Sequence, residues 1–429
     1  MSGTQAFEVR NLVFVSGERF PALIDGDTGV PDFEVTLYVL TQLRTRNLSA
    51  STLTASTRSV MFGCQVLEYM GVDLQNRINQ GKLLEPGEFN RFMDSFFWTQ
   101  EKLRQALSQS TEKPAPNRVL SLESVRKPVP AVDNSQTINA DTAATRLLYF
   151  RDFLKWKVDR SLFALAATHE NYQGLISAKE FMVGAINARM PKGSAKNDLD
   201  ARQGLSSEET VLLLKSVKLD SDQNPWKSEF IRVRNRLIVH LLLNLGLRKG
   251  ELLGIKVGDM NLEKNELTIH RRADDFEDPR SIQPNAKTNA RILYVDQELA
   301  SALHAYVVKY RQAVSGARRH PFLFVANGSG APMSIAALDV VFSDIKDKLP
   351  SKFERLSAHI LRHTWNDKFS EVMDKHGVGE AKEEEARSYA MGWKSGSGTA
   401  KVYTRRHVRK KANEVSLELQ ARLSSLDKQ

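Results

Sequence analysis

Four side chains that can act together on a phosphodiester are spread over the second half of the chain. Arg248 follows an apolar stretch, and His359 and Arg362 share the run His-Ile-Leu-Arg-His-Thr. Tyr403 comes later. Arginine is planar and permanently charged, so two arginines can clamp the non-bridging oxygens of a phosphate. A tyrosine hydroxyl forms a covalent intermediate once its proton is removed. The order and chemistry of this set predict nucleophilic attack on a phosphodiester.

The composition predicts a protein that binds a polyanion. The 429 residues suggest two or three domains, and 41% of them are hydrophobic, which is enough to build cores. Lys and Arg number 61 against 51 Asp and Glu, which gives a net charge of +10 and a pI near 9.5. This excess favours nucleic acid first and an anionic membrane second as the partner.

Several features predict a cytoplasmic protein, nucleoid-associated when bound to DNA. Cys64 is the single cysteine, which excludes an intramolecular disulfide and a thiolate metal cage and fits a reducing compartment. The first residues lack a basic start followed by a long apolar run, so we expect no signal peptide. The most apolar segment, 237–247, is too short to span a bilayer.

The first half of the chain has mainly helical patterns. Residues 7–15 have strand-like composition, and Asp32 is a candidate N-cap for a helix with Phe33, Leu37 and Leu40 on its apolar face. Further helical patterns follow in three places: from 51 or 52 to 70, at 88–107, and after Asn139 or Asp141. The proline-bearing segment 108–134 is typical of a loop or linker.

Basic residues accompany the apolar face of the helix that follows Asn139. These residues are Arg146, Arg151, Lys155, Lys157 and Arg160. Such a helix could lie along a DNA backbone, and a solvated charged face explains the pattern equally well.

A domain boundary is predicted near residue 200. Residues 190–197 resemble a linker, and Ser206 to Glu209 has the spacing of a capping box. Helices are predicted at 207–218 and 227–245, and again from Asp296 onwards. Extended segments at 266–270 and 291–295 lie between them.

Two sequence boxes resemble those of the tyrosine recombinases, the phage-type integrases. Residues 246–252, Gly-Leu-Arg-Lys-Gly-Glu-Leu, resemble the family's first-arginine box, and His-x-Leu-Arg-His-Thr at 359–364 resembles its second box. Tyr403 lies where the nucleophile is expected, Lys287 in Lys-Thr-Asn-Ala-Arg resembles the β-hairpin lysine, and 319–324 matches a common family stretch. The resemblance is clearest over residues 205–412.

The resemblance implies a mainly α fold with a small β-sheet in the catalytic domain. The domains would be an N-terminal arm at 1–32, a helical core-binding domain at 33–195 that binds DNA and has an irregular insert near 108–134, and a catalytic domain with a C-terminal tail at 205–429. The implied partners are double-stranded DNA and three further copies of the chain, a homotetramer on paired sites. No cofactor and no metal are expected.

The resemblance also implies a role for each site residue. Tyr403 would form a 3′-phosphotyrosyl link, Arg248 and Arg362 would neutralise the developing charge, and Glu251 would support the site. His359 is the implied base or proton relay. The remaining two roles fall to Lys287, as the general acid, and to Trp393, as a hydrogen-bond donor.

Several alternatives stay open. Trp393 stands where the family usually has histidine, and its spacing to Tyr403 is one residue longer than expected. Lys264 or Lys256 could replace Lys287, and Tyr389 could replace Tyr403, although a core position is favoured for Tyr389. His363 is expected to support the fold or the site, because a zinc site with His359 lacks further ligands.

Two rival functions fit the same residues. One is a type IB topoisomerase-like enzyme, which would only religate the strand it cut. The other is a DNA-binding protein of this fold without activity. The basic tail after Tyr403 and a final helix at 415–426 could contact phosphates and a neighbouring protomer, or could be solvated; the tail residues are Arg405, Arg406, Arg409, Lys410 and Lys411.

Overall fold

Helices dominate the computed structural model, which describes residues 7–110, 136–193, 204–286, 288–394, 396, 398–400, 402–404, 412, 416, 417 and 420. Two small antiparallel sheets complete it, so the predicted fold class is confirmed. No helix among the described residues is long and apolar enough to cross a membrane. The chain divides into two units: Met1–Phe14 with Arg19–Leu199, and Val15–Glu18 with Asp200–Gln429. The predicted domain bounds and their DNA-binding roles stay predictions.

The first unit packs its helices around one long central helix. Its elements are β1 (Phe7–Val13), β2 (Arg19–Asp25), α1 (Phe33–Tyr38), α2 (Ala50–Tyr69), α3 (Leu74–Asn79), α4 (Pro86–Ser95), α5 (Gln100–Ser110), α6 (Ala140–Ala164) and α7 (Tyr172–Ala188). Helix α2 contacts α5, α6 and the β1–β2 hairpin. A cluster of aromatic rings from α2, α4 and α6, together with Phe96 just after α4, fills the core; its members include Phe62, Phe92, Phe96 and Phe150.

The buried face of α1 differs from the prediction. Asp32 caps the helix as expected, because its Oδ1 accepts a hydrogen bond from the backbone N of Val35 at 2.8 Å. Phe33, however, is 67% exposed, and Leu40 is also exposed. The segment has a second apolar stripe that includes Tyr38, whose ring lies 5.3 Å from those of both Phe153 and Trp156. The stripe with Tyr38 is therefore buried instead of the stripe with Phe33, because it has aromatic side chains of α6 to pack against.

The helix predicted at 88–107 is two helices, α4 and α5. The break between them pairs with a distant segment: Phe97 O accepts a hydrogen bond from Ile138 N at 2.8 Å, and Thr99 N donates to Gln136 O at 3.0 Å. The Thr99 hydroxyl also accepts from Lys102 N at 3.2 Å, which starts α5. Long-range backbone pairing therefore overrides a continuous helical pattern.

Most basic side chains of α6 are used inside the unit. Arg146 donates to Trp98 O at 2.7 Å and lies 4.1 Å above the ring of Phe62. Arg160 pairs with Glu34 at 2.5 Å. Arg151 donates to Asn187 Oδ1 of α7 at 2.6 Å, and Lys157 pairs with Glu34 of α1. These four charges hold helices together, so they leave α6 a weaker candidate for lying along a DNA backbone.

The second unit contains the helices and strands that carry the predicted site. They are α8 (Ser207–Ser216), α9 (Glu229–Leu245), α10 (Lys249–Gly254), β3 (Met260–Asn261), β4 (Glu266–Ile269), β5 (Arg291–Tyr294), α11 (Gln297–Ala305), α12 (Ile335–Lys348), α13 (Ala358–Lys375) and α14 (Glu380–Met391). The three strands form one antiparallel sheet in the order β3-β4-β5. The apolar helix α9 is the centre of the core and contacts α11 and α13.

The start signals predicted for this unit are confirmed. Ser206 and Glu209 form the capping box of α8, with Ser206 Oγ accepting from Glu209 N at 3.1 Å and Glu209 Oε2 accepting from Ser206 N at 2.7 Å. Asp296 caps α11 through a 2.7 Å bond from Leu299 N. The two predicted extended segments pair as β4 and β5, with Ile269 opposite Arg291.

Some predictions concern residues outside the described part of the chain. These are the irregular insert from 111 onwards, the linker from 194 onwards, Lys287, the basic tail that begins at Arg405, and the final helix apart from residues 416, 417 and 420.

Gly63 of α2 allows the close approach of Phe150. A Cβ at position 63 would lie 2.0 Å from a ring carbon of Phe150, whereas a Cβ at Gly184 of α7 would meet nothing within 4 Å. We expect Gly63→Ala to destabilise the unit by about 1–3 kcal/mol through overpacking. The matched change Gly184→Ala should stabilise it by about 0.5–1 kcal/mol, because Ala is the better helix former. Urea unfolding followed by circular dichroism measures both, and equal midpoints for the two variants would contradict this packing.

Candidate active site

Arg248 is set in place by the sharp end of α9. Gly246 ends that helix with φ +60°, and a Cβ there would lie 2.8 Å from Met391 Cε and 2.9 Å from the ring of Trp365. Two residues later, Arg248 precedes α10, and its backbone N donates to Glu251 Oε2 at 2.9 Å. Its Nη1 is buried and makes no hydrogen bond to the described residues. The side chain therefore offers a buried donor to an incoming anion.

Glu251 is the buried carboxylate around which the cations gather. Arg291 donates to it twice, from Nη1 to Oε1 at 3.2 Å and from Nη2 to Oε2 at 3.0 Å. The Thr288 hydroxyl donates to Oε1, and Arg362 Nη1 lies 3.8 Å from Oε2. Burial alone raises the pKa of Glu251, but the hydrogen bonds and charges of Arg291, with Arg362 and Thr288, hold that pKa below its usual value. Glu251 is consequently ionised at neutral pH.

Arg362 is fixed by two backbone carbonyls. It is buried on α13 and donates from Nη1 to Gly246 O at 2.6 Å and from Nη2 to Met391 O at 3.4 Å. Its guanidinium lies 5.5 Å from the ring centre of Trp393. Burial, followed by the charge of Arg248, lowers the pKa of Arg362 to about 10. The side chain still carries its charge at neutral pH.

His359 and His363 form a hydrogen-bonded pair beside the tyrosine. Their Nε2 atoms are 3.0 Å apart, so one ring donates and the other must be deprotonated at Nε2 to accept. The ring of His363 lies 5.5 Å from that of Tyr403. His359, the predicted base, is exposed and connects to Tyr403 through His363. Among the described residues, no third histidine, cysteine or acidic side chain joins the pair as a potential metal ligand.

Trp393 and Tyr403 stack on each other. Their ring centres are 5.6 Å apart and the planes differ by 16°. Trp393 Nε1 is buried and has no acceptor in the described part of the chain. Burial raises the pKa of Tyr403, whereas the charges of Arg362, Arg248 and Arg387 oppose that rise. The phenol thus lies in a desolvated place that is surrounded by positive charge.

The strand β5 fixes the segment that carries Trp393. Arg291 Nε donates to Ala390 O at 2.6 Å, and Asn289 N donates to Gly392 O at 2.8 Å. Gly392 has φ +65°, and a Cβ there would lie 2.7 Å from Arg291 Nη1. The same arginine that binds Glu251 therefore also holds the end of α14 against the sheet.

The structure brings together six of the seven predicted site residues: Arg248, Glu251, His359, Arg362, Trp393 and Tyr403. The seventh, Lys287, lies outside the described residues, so its role stays a prediction. Its alternative Lys256 is engaged with Asp275 and with Glu277, each at 2.6 Å.

The core position favoured for Tyr389 is wrong. Tyr389 is 63% exposed, although it lies on α14 only two residues before the buried Met391. Positions two apart on a helix face different sides, so the burial of Met391 turns Tyr389 towards solvent. Tyr389 has no ring contact with the site among the described residues, which leaves Tyr403 as the tyrosine beside the arginines.

Sequence reasoning missed three residues of the site: Thr288, Arg291 and Arg387. Thr288 and Arg291 belong to the Lys-Thr-Asn-Ala-Arg motif, in which the family resemblance assigns a role only to the lysine. A buried arginine at the start of a strand requires a carboxylate partner, and that requirement could have linked Arg291 to Glu251. Arg387 has no comparable signal. It lies on a helix rich in charged residues, and the whole chain has 61 lysines and arginines.

Residues 219–410 match the model of the phage integrase family. The chain is 26% identical over 134 residues to tyrosine recombinase XerH of Campylobacter jejuni, a match that covers 31% of this chain and 32% of XerH. The chain thus spans about a third of that relative's length. In a solved structure, XerH bound to difH substrate is 17% identical with a TM-score of 0.40, covering 84% of this chain and 96% of that chain. The solved structure of the Tn1549 transposon integrase with circular intermediate DNA is 15% identical with a TM-score of 0.40. That match covers 82% of this chain and 99% of the integrase chain.

Residues 219–410 therefore form a domain of the phage integrase family, the tyrosine recombinases. The matched range contains all seven predicted site residues, and the resemblance drawn from the two sequence boxes is confirmed for it.

The pKa of Glu251 predicts how stability depends on pH. Because its folded-state pKa is lowered, Glu251 contributes stability above its unfolded value of about 4.5, and that contribution is lost as the pH falls through the folded pKa. We expect Glu251→Gln to destabilise the chain at pH 7 by about 3–5 kcal/mol, since Arg291 loses a buried partner. The variant should then lose less further stability than the parent between pH 5 and pH 3, as measured by urea unfolding.

A suitable control is Glu298→Gln, because Glu298 is exposed and lies 4.0 Å from its partner Arg236. The control should follow the parent at each pH. Acid unfolding curves that run parallel for the parent and Glu251→Gln would contradict the assignment of Glu251.

Proposed function

We propose that this chain is a site-specific DNA recombinase that cuts and rejoins DNA through a 3′-phosphotyrosyl link on Tyr403. The observation that carries the proposal is the pair of buried donors without a hydrogen bond to the described residues, Arg248 Nη1 and Trp393 Nε1, in a site shared with Tyr403 and Arg362. Two guanidiniums and an N–H suit a phosphate, and the tyrosine supplies the nucleophile.

The first step is attack of the Tyr403 oxygen on a DNA phosphorus. The phosphorus–O5′ bond breaks, the strand's 3′ phosphate becomes joined to Tyr403, and the 5′ oxygen leaves as a hydroxyl. Arg248, Arg362 and Trp393 stabilise the negative charge that develops on the phosphate oxygens. The proton taken by the 5′ oxygen comes from Lys287, in the role that the family resemblance implies.

The tyrosine proton leaves through the histidine pair. His363 lies beside Tyr403 and is hydrogen-bonded to the exposed His359, so the pair offers a path from the partly buried phenol to solvent. A 5′ hydroxyl from a second duplex then attacks the phosphotyrosine and releases the tyrosine. The bond energy is kept in the covalent intermediate, so the exchange consumes no nucleotide.

Double-stranded DNA is the proposed substrate, and a homotetramer on two paired sites is the proposed assembly. The net charge of +10 supports DNA binding. Integration, excision or transposition of a mobile element is the process that we propose for it. The composition supports action in the cytoplasm, at the nucleoid.

Replacing Tyr403 tests the proposed chemistry. A nicked duplex that carries the DNA flanking this gene traps the covalent intermediate, because the departing 5′ end diffuses away. We expect a protein–DNA adduct on a denaturing gel with the parent chain and none with Tyr403→Phe. The matched control, Tyr389→Phe, should form the adduct at the parent's rate, since Tyr389 is exposed and outside the site.

The other outcomes separate the rival functions. An adduct that persists in Tyr403→Phe would contradict the choice of nucleophile. If the parent forms no adduct even with a pool of random-sequence duplexes that it binds, the chain is a DNA-binding protein without activity. An adduct followed only by religation, without exchange between two labelled duplexes, would favour the topoisomerase-like reaction.

The change Trp393→Phe isolates one hydrogen-bond donor. Phenylalanine keeps a ring to stack on Tyr403 but lacks the N–H that is buried without an acceptor. We expect the single-turnover cleavage rate to fall by about 10²-fold, the usual effect of losing one such donor. DNA affinity and the unfolding midpoint should change little. An unchanged cleavage rate would contradict a contact between Trp393 and the phosphate.

A further inference from the structure

A fourth arginine of the site, Arg387, lies behind the proposed nucleophile. It belongs to α14, is fully buried, and has its guanidinium carbon 5.8 Å from the ring centre of Tyr403. It also lies 5.0 Å from the ring of Phe369. None of the roles described above uses this side chain. Because it is fully buried, it does not reach the surface from which DNA would approach.

Arg387 joins the two helices that carry most of the site. Its Nη1 donates to the backbone O and to Oδ1 of Asn366 at 2.9 and 3.1 Å, and its Nη2 donates to Ser370 Oγ at 2.5 Å. Nη2 also pairs with Glu383, whose Oε1 accepts from Ser370 Oγ at 2.8 Å. Asn366 and Ser370 belong to α13, the helix of Arg362 and the two histidines. These bonds fix how α13 and α14 lie against each other.

Stability alone is a weak reason for this arrangement. Burying an ion pair costs a large desolvation energy, and well-packed apolar side chains often replace such a pair without loss of stability. An apolar pair could therefore also join α13 to α14. What it could not supply is a positive charge near the phenol ring, and a cation within about 6 Å of an aromatic ring is attracted to it.

We propose that Arg387 is a positioning residue for the nucleophile: it locks α13 to α14 and holds a positive charge beside the Tyr403 ring that favours the phenolate. The proposal rests on the proposed function, in which Tyr403 must lose its proton. Arg248 and Arg362 are engaged by a phosphate during the reaction, whereas Arg387 keeps its charge on the protein side of the ring throughout.

The groups around Tyr403 fix the direction of the expected effect. Positive charge comes from Arg362 on α13, from Arg248 before α10 and from Arg387 on α14, and each of them lowers the pKa of Tyr403 against the rise caused by burial. His363 of α13 is the neighbouring titratable ring, and Glu383 is the carboxylate paired with Arg387. Neutralising Arg387 together with Glu383 therefore raises the pKa of the phenol.

The test uses the double variant Arg387→Met, Glu383→Gln, which leaves neither charge buried alone. The single variant Arg387→Lys keeps a positive charge and should behave more like the parent. Arg311→Met is the control, because Arg311 is a buried arginine of the same unit that bonds the backbone carbonyls of Ala317, His320 and Phe322. Thermal unfolding of each variant shows which of them fold.

The first readout needs no DNA. Tyrosines replaced biosynthetically by 3,5-difluorotyrosine titrate at lower pH, and the ¹⁹F signal of position 403 is identified by its loss in Tyr403→Phe. We expect this signal to titrate at higher pH in the double variant than in the parent, and at the parent's pH in Arg311→Met. If position 403 titrates at the same pH in the parent and in the folded double variant, the proposal is overturned.

The second readout is single-turnover cleavage of the nicked duplex as a function of pH. At neutral pH, the cleavage rate of the double variant should fall about tenfold for each pH unit by which the titration of the phenol moves upwards. At alkaline pH, its cleavage rate should return to that of the parent. A uniform loss at every pH would indicate a merely structural role and would count against the proposal. If the parent itself forms no adduct, the proposed function fails, while the ¹⁹F titration still decides the role of Arg387.

Discussion

The site depends on one buried carboxylate. Glu251 receives two hydrogen bonds from Arg291 and one from Thr288, and it lies within 4 Å of Arg248 and Arg362. Without it, three guanidiniums would repel one another in a place that solvent barely screens. A buried charge of this kind is costly unless every partner is present. The carboxylate thus makes α10, β5 and α13 parts of one arrangement, in which the loss of one partner affects the others.

Helix ends supply the second set of restraints. The carbonyls of Gly246 and Met391 accept from Arg362, and that of Ala390 accepts from Arg291. Carbonyl groups at a helix C-terminus lack partners within the helix and carry partial negative charge, so an arginine is a suitable partner for them. The glycines at 246 and 392 allow the left-handed turns that end α9 and α14 there. Backbone geometry therefore aims the arginines before any substrate binds.

Local signals explain what the sequence could predict. Asp32, Asn139, Ser206 and Asp296 mark helix starts because a capping side chain bonds a backbone N–H three residues away, a relation contained within a few residues. Four of the predicted site residues, Arg248, Glu251, His359 and Arg362, lie in two short boxes with fixed spacing. Three of the failures involve distant partners. The break after Phe96 arises from pairing with residues 136–138, the face of α1 is chosen by Phe153 and Trp156, and Arg387 is buried only because α13 offers it Asn366 and Ser370.

The charges of the site match the proposed reaction better than they match one another. Arg248, Arg291 and Arg362 surround a single carboxylate, so two positive charges in this group are not compensated by Glu251. A phosphodiester brings one negative charge, and an attacking phenolate brings a second. Charge balance is therefore reached when a phosphate is bound and Tyr403 has lost its proton, that is, at the transition state of the proposed attack. Interactions that are completed only there accelerate the chemical step, because they do not stabilise the ground state equally. The same reasoning explains why the phenol is partly buried: until the phosphate arrives, desolvation keeps Tyr403 protonated and unreactive.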